Sequence, residues 1–146
     1  MIEDLILTPL PIVKVEGGDV MHAIKYKDEG VHGFGEVYFS NVDHGFIKAW
    51  KRHHKMILNI VVPIGEIRFV IFDDRKESSS YGEFQQVTLS QDNYQRLTVP
   101  SMVWMGFQGI GKKVNLLMNF ANILHDPTES DRKKIDQINY KWRINK

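Results

Sequence analysis

Between Gly45 and Arg75 the polar and apolar positions predict three strands: Gly45–His53, Ile57–Val62 and Ile67–Phe72. β-branched and aromatic residues dominate the second and third, and Pro63-Ile64-Gly65-Glu66 marks the turn between them. Strict alternation along the first puts Ile47, Ala49, Lys51, His53 and Lys55 on one face. That face begins apolar and ends cationic, which is unusual for a plain core strand. It predicts the wall and floor of a pocket, with the rest of the chain built around it.

The flanking segments carry the same kind of pattern. Ile6 to Val15 is apolar but holds Pro9 and Pro11, which suits an edge strand or lead-in, since proline cannot donate to a ladder. Glu16-Gly17-Gly18-Asp19 predicts a tight turn, Val20–Tyr26 a strand, and Val31–Ser40 a strand with a bulge near Gly33 and Gly35. Further strands are predicted over Phe84–Leu89, Arg96–Val99, Val103–Phe107 and Val114–Asn122. Asp126-Pro127-Thr128-Glu129 has the form of a helix start, with Asp as N-cap and Pro at the first helical position, and predicts a short surface helix over Thr128–Gln137. Tyr140 and Trp142 then supply two apolar anchors for the tail. Roughly nine to eleven short strands with turns every 8–12 residues or so predict a sandwich or barrel.

Composition narrows the function classes. The 146 residues fit one domain, 1–146, around a single core. With 42% hydrophobic and 11% aromatic residues, the chain has enough apolar surface to fold. A net charge of +1 gives no argument for nucleic acid. The absence of cysteine excludes disulfides and thiolate metal sites. No stretch approaches the roughly 18 apolar residues of a membrane span. The first residues lack the cationic start and apolar run of a signal peptide, so the expected location is cytoplasmic.

The central stretch keeps the spacing of the first cupin motif, G-x5-H-x-H-x4-E-x6-G, from Gly45 through Lys51 and His53 to Leu58 and Gly65. The second motif, P-x-G-x2-H, falls on Pro100, Met102 and Met105. Of the usual three histidines and one glutamate only His53 remains. One imidazole beside an ammonium, a leucine and a thioether is a poor donor set for zinc or iron, so no metal and no cofactor is expected.

Several further stretches carry a closer likeness: FGEVYFS at 34–40, GFIKAWKRH at 45–53, the turn at 65–67, FDDR at 72–75 with S-x-x-G at 79–82, LTVPSMVWMGF at 97–107 and INYKW at 138–142. In order and spacing the chain resembles the dTDP-4-dehydrorhamnose 3,5-epimerase family of metal-free cupins, with kinship to the dTDP-sugar 3,4-ketoisomerases. The resemblance implies an all-β cupin-type jelly-roll β-barrel, here with a short C-terminal helix, and a homodimer that exchanges an N-terminal strand. It also implies a nucleoside-diphospho-4-keto-6-deoxy sugar as ligand, and surface polysaccharide biosynthesis as the setting. The chemistry implied is proton abstraction next to the ketone, an enolate, and return of a proton by an acid on the other face. The family's base histidine falls on Lys51, its acid tyrosine on Asn119, the arginine of its early D-x-R-G segment on Gly17, and the histidine of its H-G-F segment on Met105.

Candidate residues follow from both readings. His53 is the imidazole of the expected pocket and the base candidate, against a hydrogen-bonded structural histidine. Lys51 is a rim lysine, an amine base with a depressed pKa, or a charged group that stabilises an enolate or diphosphate. Tyr38, on the neighbouring strand, is a phenol acid or a wall tyrosine with a satisfied hydroxyl. Lys48 stands where the family has an arginine near the diphosphate, and Glu36 where a glutamine is often found. Asn119 donates hydrogen bonds but is no acid. Trp104 stacks on a base or sugar, or packs in the core. Met105 and His125 complete the candidate binding set.

Three function classes remain open at this stage. One is a metal-independent epimerase or ketoisomerase of a nucleotide-linked ketosugar. The second is a non-catalytic cupin that binds a sugar nucleotide. The third is an interaction protein whose barrel pocket is filled by side chains.

Overall fold

A computed structural model describes residues 1–143. Its twelve strands are β1 (Ile6–Pro9), β2 (Ile12–Val13), β3 (Val20–Met21), β4 (Glu36–Asn41), β5 (Ile47–His53) and β6 (Leu58–Ile64), then β7 (Glu66–Phe72), β8 (Phe84–Ser90), β9 (Gln95–Val99), β10 (Trp104–Gly109), β11 (Leu116–Ala121) and β12 (Ser130–Arg132). They form two five-stranded sheets, in the orders β1-β9-β6-β11-β4 and β12-β5-β10-β7-β8, with β2 and β3 as a separate pair. All of these pairings are antiparallel.

The two inner faces share one core. Leu58, Ile60 and Val62 of β6 alternate inward from the first sheet and meet Ile67, Phe69 and Ile71 of β7 from the second. Burying each such side chain contributes about 1.5–3 kcal/mol. Gly65 makes the turn between these strands possible: its φ is +82°, and a Cβ there would lie 2.3 Å from the Val114 carbonyl oxygen. Among the described residues no pairing joins one sheet to the other, so the arrangement is a two-sheet sandwich in place of the expected closed barrel.

The segment after β3 lies over the outer face of the first sheet. Arg96 of β9 is fully buried and holds it there, donating to the Ala23 and Glu29 carbonyls, to Asp28 Oδ2 and to Asn59 Oδ1. The strand expected over Val20–Tyr26 is therefore only two residues long. The strand expected from Val31 starts at Glu36, because Gly33 has φ +85° and Gly35 is pressed against the Ile123 backbone.

The tail covers the outer face of the second sheet. A second cluster there joins Trp50, Val70, Trp104 and Ile138, with Tyr140 and Trp142 packed on it as the expected anchors. The helix expected over Thr128–Gln137 does not form. Asp126 does cap a turn, accepting from Thr128 N at 2.9 Å, but that 3-10 turn covers only Pro127–Glu129. The chain then runs into β12 and a second 3-10 turn, Ile135–Gln137. The free edge of β5 takes up the backbone groups of 130–132, and tertiary pairing overrides the local helix start. No helix of the described residues is long and apolar enough to cross a membrane.

Candidate active site

The site begins with an irregularity in β5. Met105 pairs with Lys51 and Phe107 with Lys48, so Ala49 and Trp50 together oppose Gly106 alone. This bulge breaks the alternation. Lys48 and Lys51, three positions apart, both reach the space between the sheets, while Ala49 joins Trp50 in the outer cluster. Gly106 is required here: a Cβ would lie 2.6 Å from Ala49 Cβ and 2.9 Å from the Trp142 ring.

Between the sheets lies a cavity of about 390 Å³. β5 contributes Lys48, Lys51 and His53, and β12 contributes Arg132. Tyr38 of β4 and Asn119 of β11 stand in the opposite sheet, and apolar side chains including Leu58, Met105 and Phe107 fill the rest of the wall. Among the described residues the lining holds three cations and no carboxylate, so its electrostatics suit an anionic ligand.

His53 is held on one side by a carboxylate. Its Nδ1 lies 2.7 Å from Glu129 Oε2, and both side chains are about nine-tenths buried. The other Glu129 oxygen accepts from the backbone N–H of Lys55 at 2.6 Å and of Met56 at 2.9 Å. Burial pushes the Glu129 carboxyl up, but the bonds from Lys55, His53 and Met56 outweigh it and hold its pKa at about 2. Glu129 is thus a carboxylate at neutral pH and fixes the Nδ1–H tautomer of its partner. Burial pushes the His53 pKa down; the bond to Glu129 opposes this and the Lys51 charge adds to it. The result is a neutral imidazole at neutral pH, with its Nε2 lone pair unpartnered among the described residues.

Lys51 is half-buried, and burial followed by the Arg132 charge lowers its pKa. Across the cavity, Tyr38 Oη accepts from Asn119 Nδ2 at 2.8 Å, which leaves the phenolic proton for another partner. Asn119 Oδ1 is buried and has no partner among the described residues. Lys48 donates to the Asn41 carbonyl at 2.8 Å at the cavity's edge. Among the described residues no three histidine, cysteine, aspartate or glutamate side chains gather as a metal site.

The family model for dTDP-4-dehydrorhamnose 3,5-epimerase matches residues 36–145, well over half of the chain. The chain belongs to this epimerase family. It is similar to the probable low-salt glycan biosynthesis epimerase Agl13 of Haloferax volcanii, at 34% identity over 99 residues; the matched stretch is 67% of this chain and spans 64% of that protein's length. It is also similar to the spore coat polysaccharide biosynthesis protein SpsL of Bacillus subtilis, at 27% identity over 75% of each chain. Among solved structures, the crystal structure of a dTDP sugar isomerase from Desulfovibrio desulfuricans shares 38% identity, with a TM-score of 0.92, over 97% of this chain and 92% of that one.

Within this epimerase-family chain, most of the expected site residues converge. His53, Lys51, Tyr38, Lys48, Asn119 and Met105 all line the cavity. Glu36 is half-buried beside it and acts on Lys51 only through its charge. Trp104 does not reach the cavity. It is buried in the outer cluster, where its Nε1 donates to Asp74 Oδ2 at 2.7 Å, because its place in β10 turns it away from Met105's side of the sheet. His125 is exposed on the loop after β11 and does not line the cavity.

Two residues escape sequence reasoning. Glu129 reads as an ordinary first-turn acid, and Arg132 as part of a charged surface helix. Both enter the site only because residues 130–132 pair with β5. The absence of an apolar stripe over 128–137 is the one trace of this in the sequence.

Proposed function

We propose that this protein is a metal-independent epimerase or isomerase acting on a nucleoside-diphospho-4-keto-6-deoxy sugar in polysaccharide assembly. The observation that carries the reading is the His53–Glu129 pair: a neutral, tautomer-fixed imidazole whose free Nε2 belongs to a cationic, ligand-sized cavity. His53 Nε2 takes the proton from the carbon next to the ketone, and the electrons move onto the ketone oxygen as an enolate. Lys51 and Arg132 supply the positive charge that stabilises this oxyanion and the diphosphate. Tyr38, on the opposite wall, returns a proton from the other face, and Asn119 holds its oxygen. Inversion of the carbon results. Lys48 binds the diphosphate near the mouth.

The sheet orders support a jelly-roll reading of the fold, as a single cupin domain. A cytoplasmic homodimer completes the proposal; the unpaired edge of β4, with exposed Val37 and Phe39, suits a second copy.

A second reading keeps the same ligand without turnover. What favours it is Lys51, which stands where the family's base histidine is expected. Incubation with dTDP-4-keto-6-deoxyglucose in D2O separates the two. Deuterium entering at C3 or C5 supports the enzyme. Melting stabilisation by dTDP with no exchange supports the binding module, and neither effect removes both.

A further inference from the structure

Behind the cavity, on the outer side of the same strands, lies a second set of charged groups that touch no cavity wall. β12 is three residues long with one neighbour, β5; backbone bonds of His54 to Glu129 and of Trp50 with Lys133 extend that contact by one residue at each end, so it is a short edge held on one side only. Its middle residue, Asp131, points outward. Asp131 Oδ2 accepts from Arg52 Nε at 3.1 Å and Nη2 at 2.7 Å, and its Oδ1 lies 3.0 Å from His54 Nε2. Arg52 also donates from Nη1 to Asp74 at 3.1 and 3.3 Å, and its guanidinium lies 4.6 Å from the Trp104 ring. The indole donates to the same Asp74 at 2.7 Å. Arg52 is thus pinned between two carboxylates and an aromatic face, and through Asp131 it ties down the strand that follows Glu129 and ends at Arg132.

The register makes the coupling direct. Ser130 pairs with His53, Asp131 with Arg52 and Arg132 with Lys51. Glu129 immediately precedes this strand, and its carbonyl accepts from His54 N at 3.0 Å. We infer that Arg52 and Asp131 are positioning residues for the base: their pair behind β12 keeps Glu129 within hydrogen-bonding reach of His53, and so sets which ring nitrogen carries the proton. The inference rests on His53 being the base, but the placement it describes does not depend on turnover. Without the latch, β12 loosens, Glu129 loses its hold on Nδ1, and the ring goes over to the Nε2–H tautomer that water favours. The cavity then faces a donor where the chemistry needs an acceptor.

The test is the 15N shift of both His53 ring nitrogens by NMR, in the wild type and in Asp131→Asn and Arg52→Gln, at neutral pH. Asp131→Asn is nearly isosteric and keeps an oxygen for Arg52, so the fold is not at stake. The wild type is expected in the Nδ1–H tautomer and both variants in a mixture shifted toward Nε2–H. In a Glu129→Gln background, Asp131→Asn is expected to add no further shift. Deuterium exchange into dTDP-4-keto-6-deoxyglucose is expected to fall about 5- to 20-fold in kcat in Asp131→Asn, with KM little changed. A wild-type ring in the Nε2–H tautomer, or folded variants with the wild-type tautomer, overturns the inference. A tautomer shift in the variants with no exchange by the wild type leaves the latch standing and removes the enzymatic reading instead.

Discussion

Glu129 holds His53 across 76 positions of sequence, with Oε2 of the one 2.7 Å from Nδ1 of the other. Neither partner is a strong site on its own. A lone imidazole beside a lysine has no fixed tautomer, and a lone buried carboxylate would take up a proton. Together, with two backbone N–H groups on the far oxygen, they give an imidazole of fixed tautomer. His53→Asn is expected to lower C–H exchange by 10²-fold or more, and Glu129→Gln by about 10- to 100-fold, in a solvent-exchange assay on the ketosugar.

The same pair gives the fold an acid weakness. The Glu129 pKa is about 2 in the folded chain and near 4.5 when exposed, so its stabilisation is complete above 4.5 and is lost as pH falls from there toward 2. The loss is on the order of 3 kcal/mol. The His53 shift has the same sign: its folded pKa is lowered from 6.5, so folding already weakens as pH drops below that value. Thermal melts across this range should fall in Tm for the wild type, and fall less steeply in Glu129→Gln.

For activity the direction of each shift sets one limb. In the proposed reaction His53 must be neutral, and its lowered pKa places the acid limb of kcat/KM below 6.5. In the same proposal Lys51 must be charged to stabilise an oxyanion, and its lowered pKa places the alkaline limb below 10.5. Lys51→Arg keeps the charge and should carry the alkaline limb upward while leaving the acid limb in place. An alkaline limb that stays put would reassign that titration to another group.

Tyr38 offers a way to separate the two proton transfers. Tyr38→Phe removes the proposed acid and leaves His53 intact. The expected outcome is that deuterium still enters from the His53 face, while the inverted product falls about 10²-fold or more, read by NMR of the sugar.

Gly106 tests the bulge. A methyl group there would collide with Ala49 Cβ and the Trp142 ring. Gly106→Ala should destabilise by about 1–3 kcal/mol in chemical denaturation, and part of that should return in a Gly106→Ala, Trp142→Ala double variant.

The sequence by itself determined the all-β class, the strands that build the core, and the family. These follow from local alternation, from turn residues such as Gly65, and from motifs that lie within a few positions of one another. It also placed His53 and Lys51 together, because they share one strand. What only the tertiary structure decided depends on contacts between distant segments. The bulge opposite Gly106 brings Lys48 to the inner side and sends Ala49 outward, against strict alternation. Trp104 reads equally well as a stacking platform or a core residue until its sheet face is known. The sharpest case is the stretch 128–137, whose Asp-Pro start reads as a helix. An isolated charged helix of this length is marginal in water, and the open edge of β5 pairs with 130–132 instead, which brings Glu129 to His53 and Arg132 to the cavity.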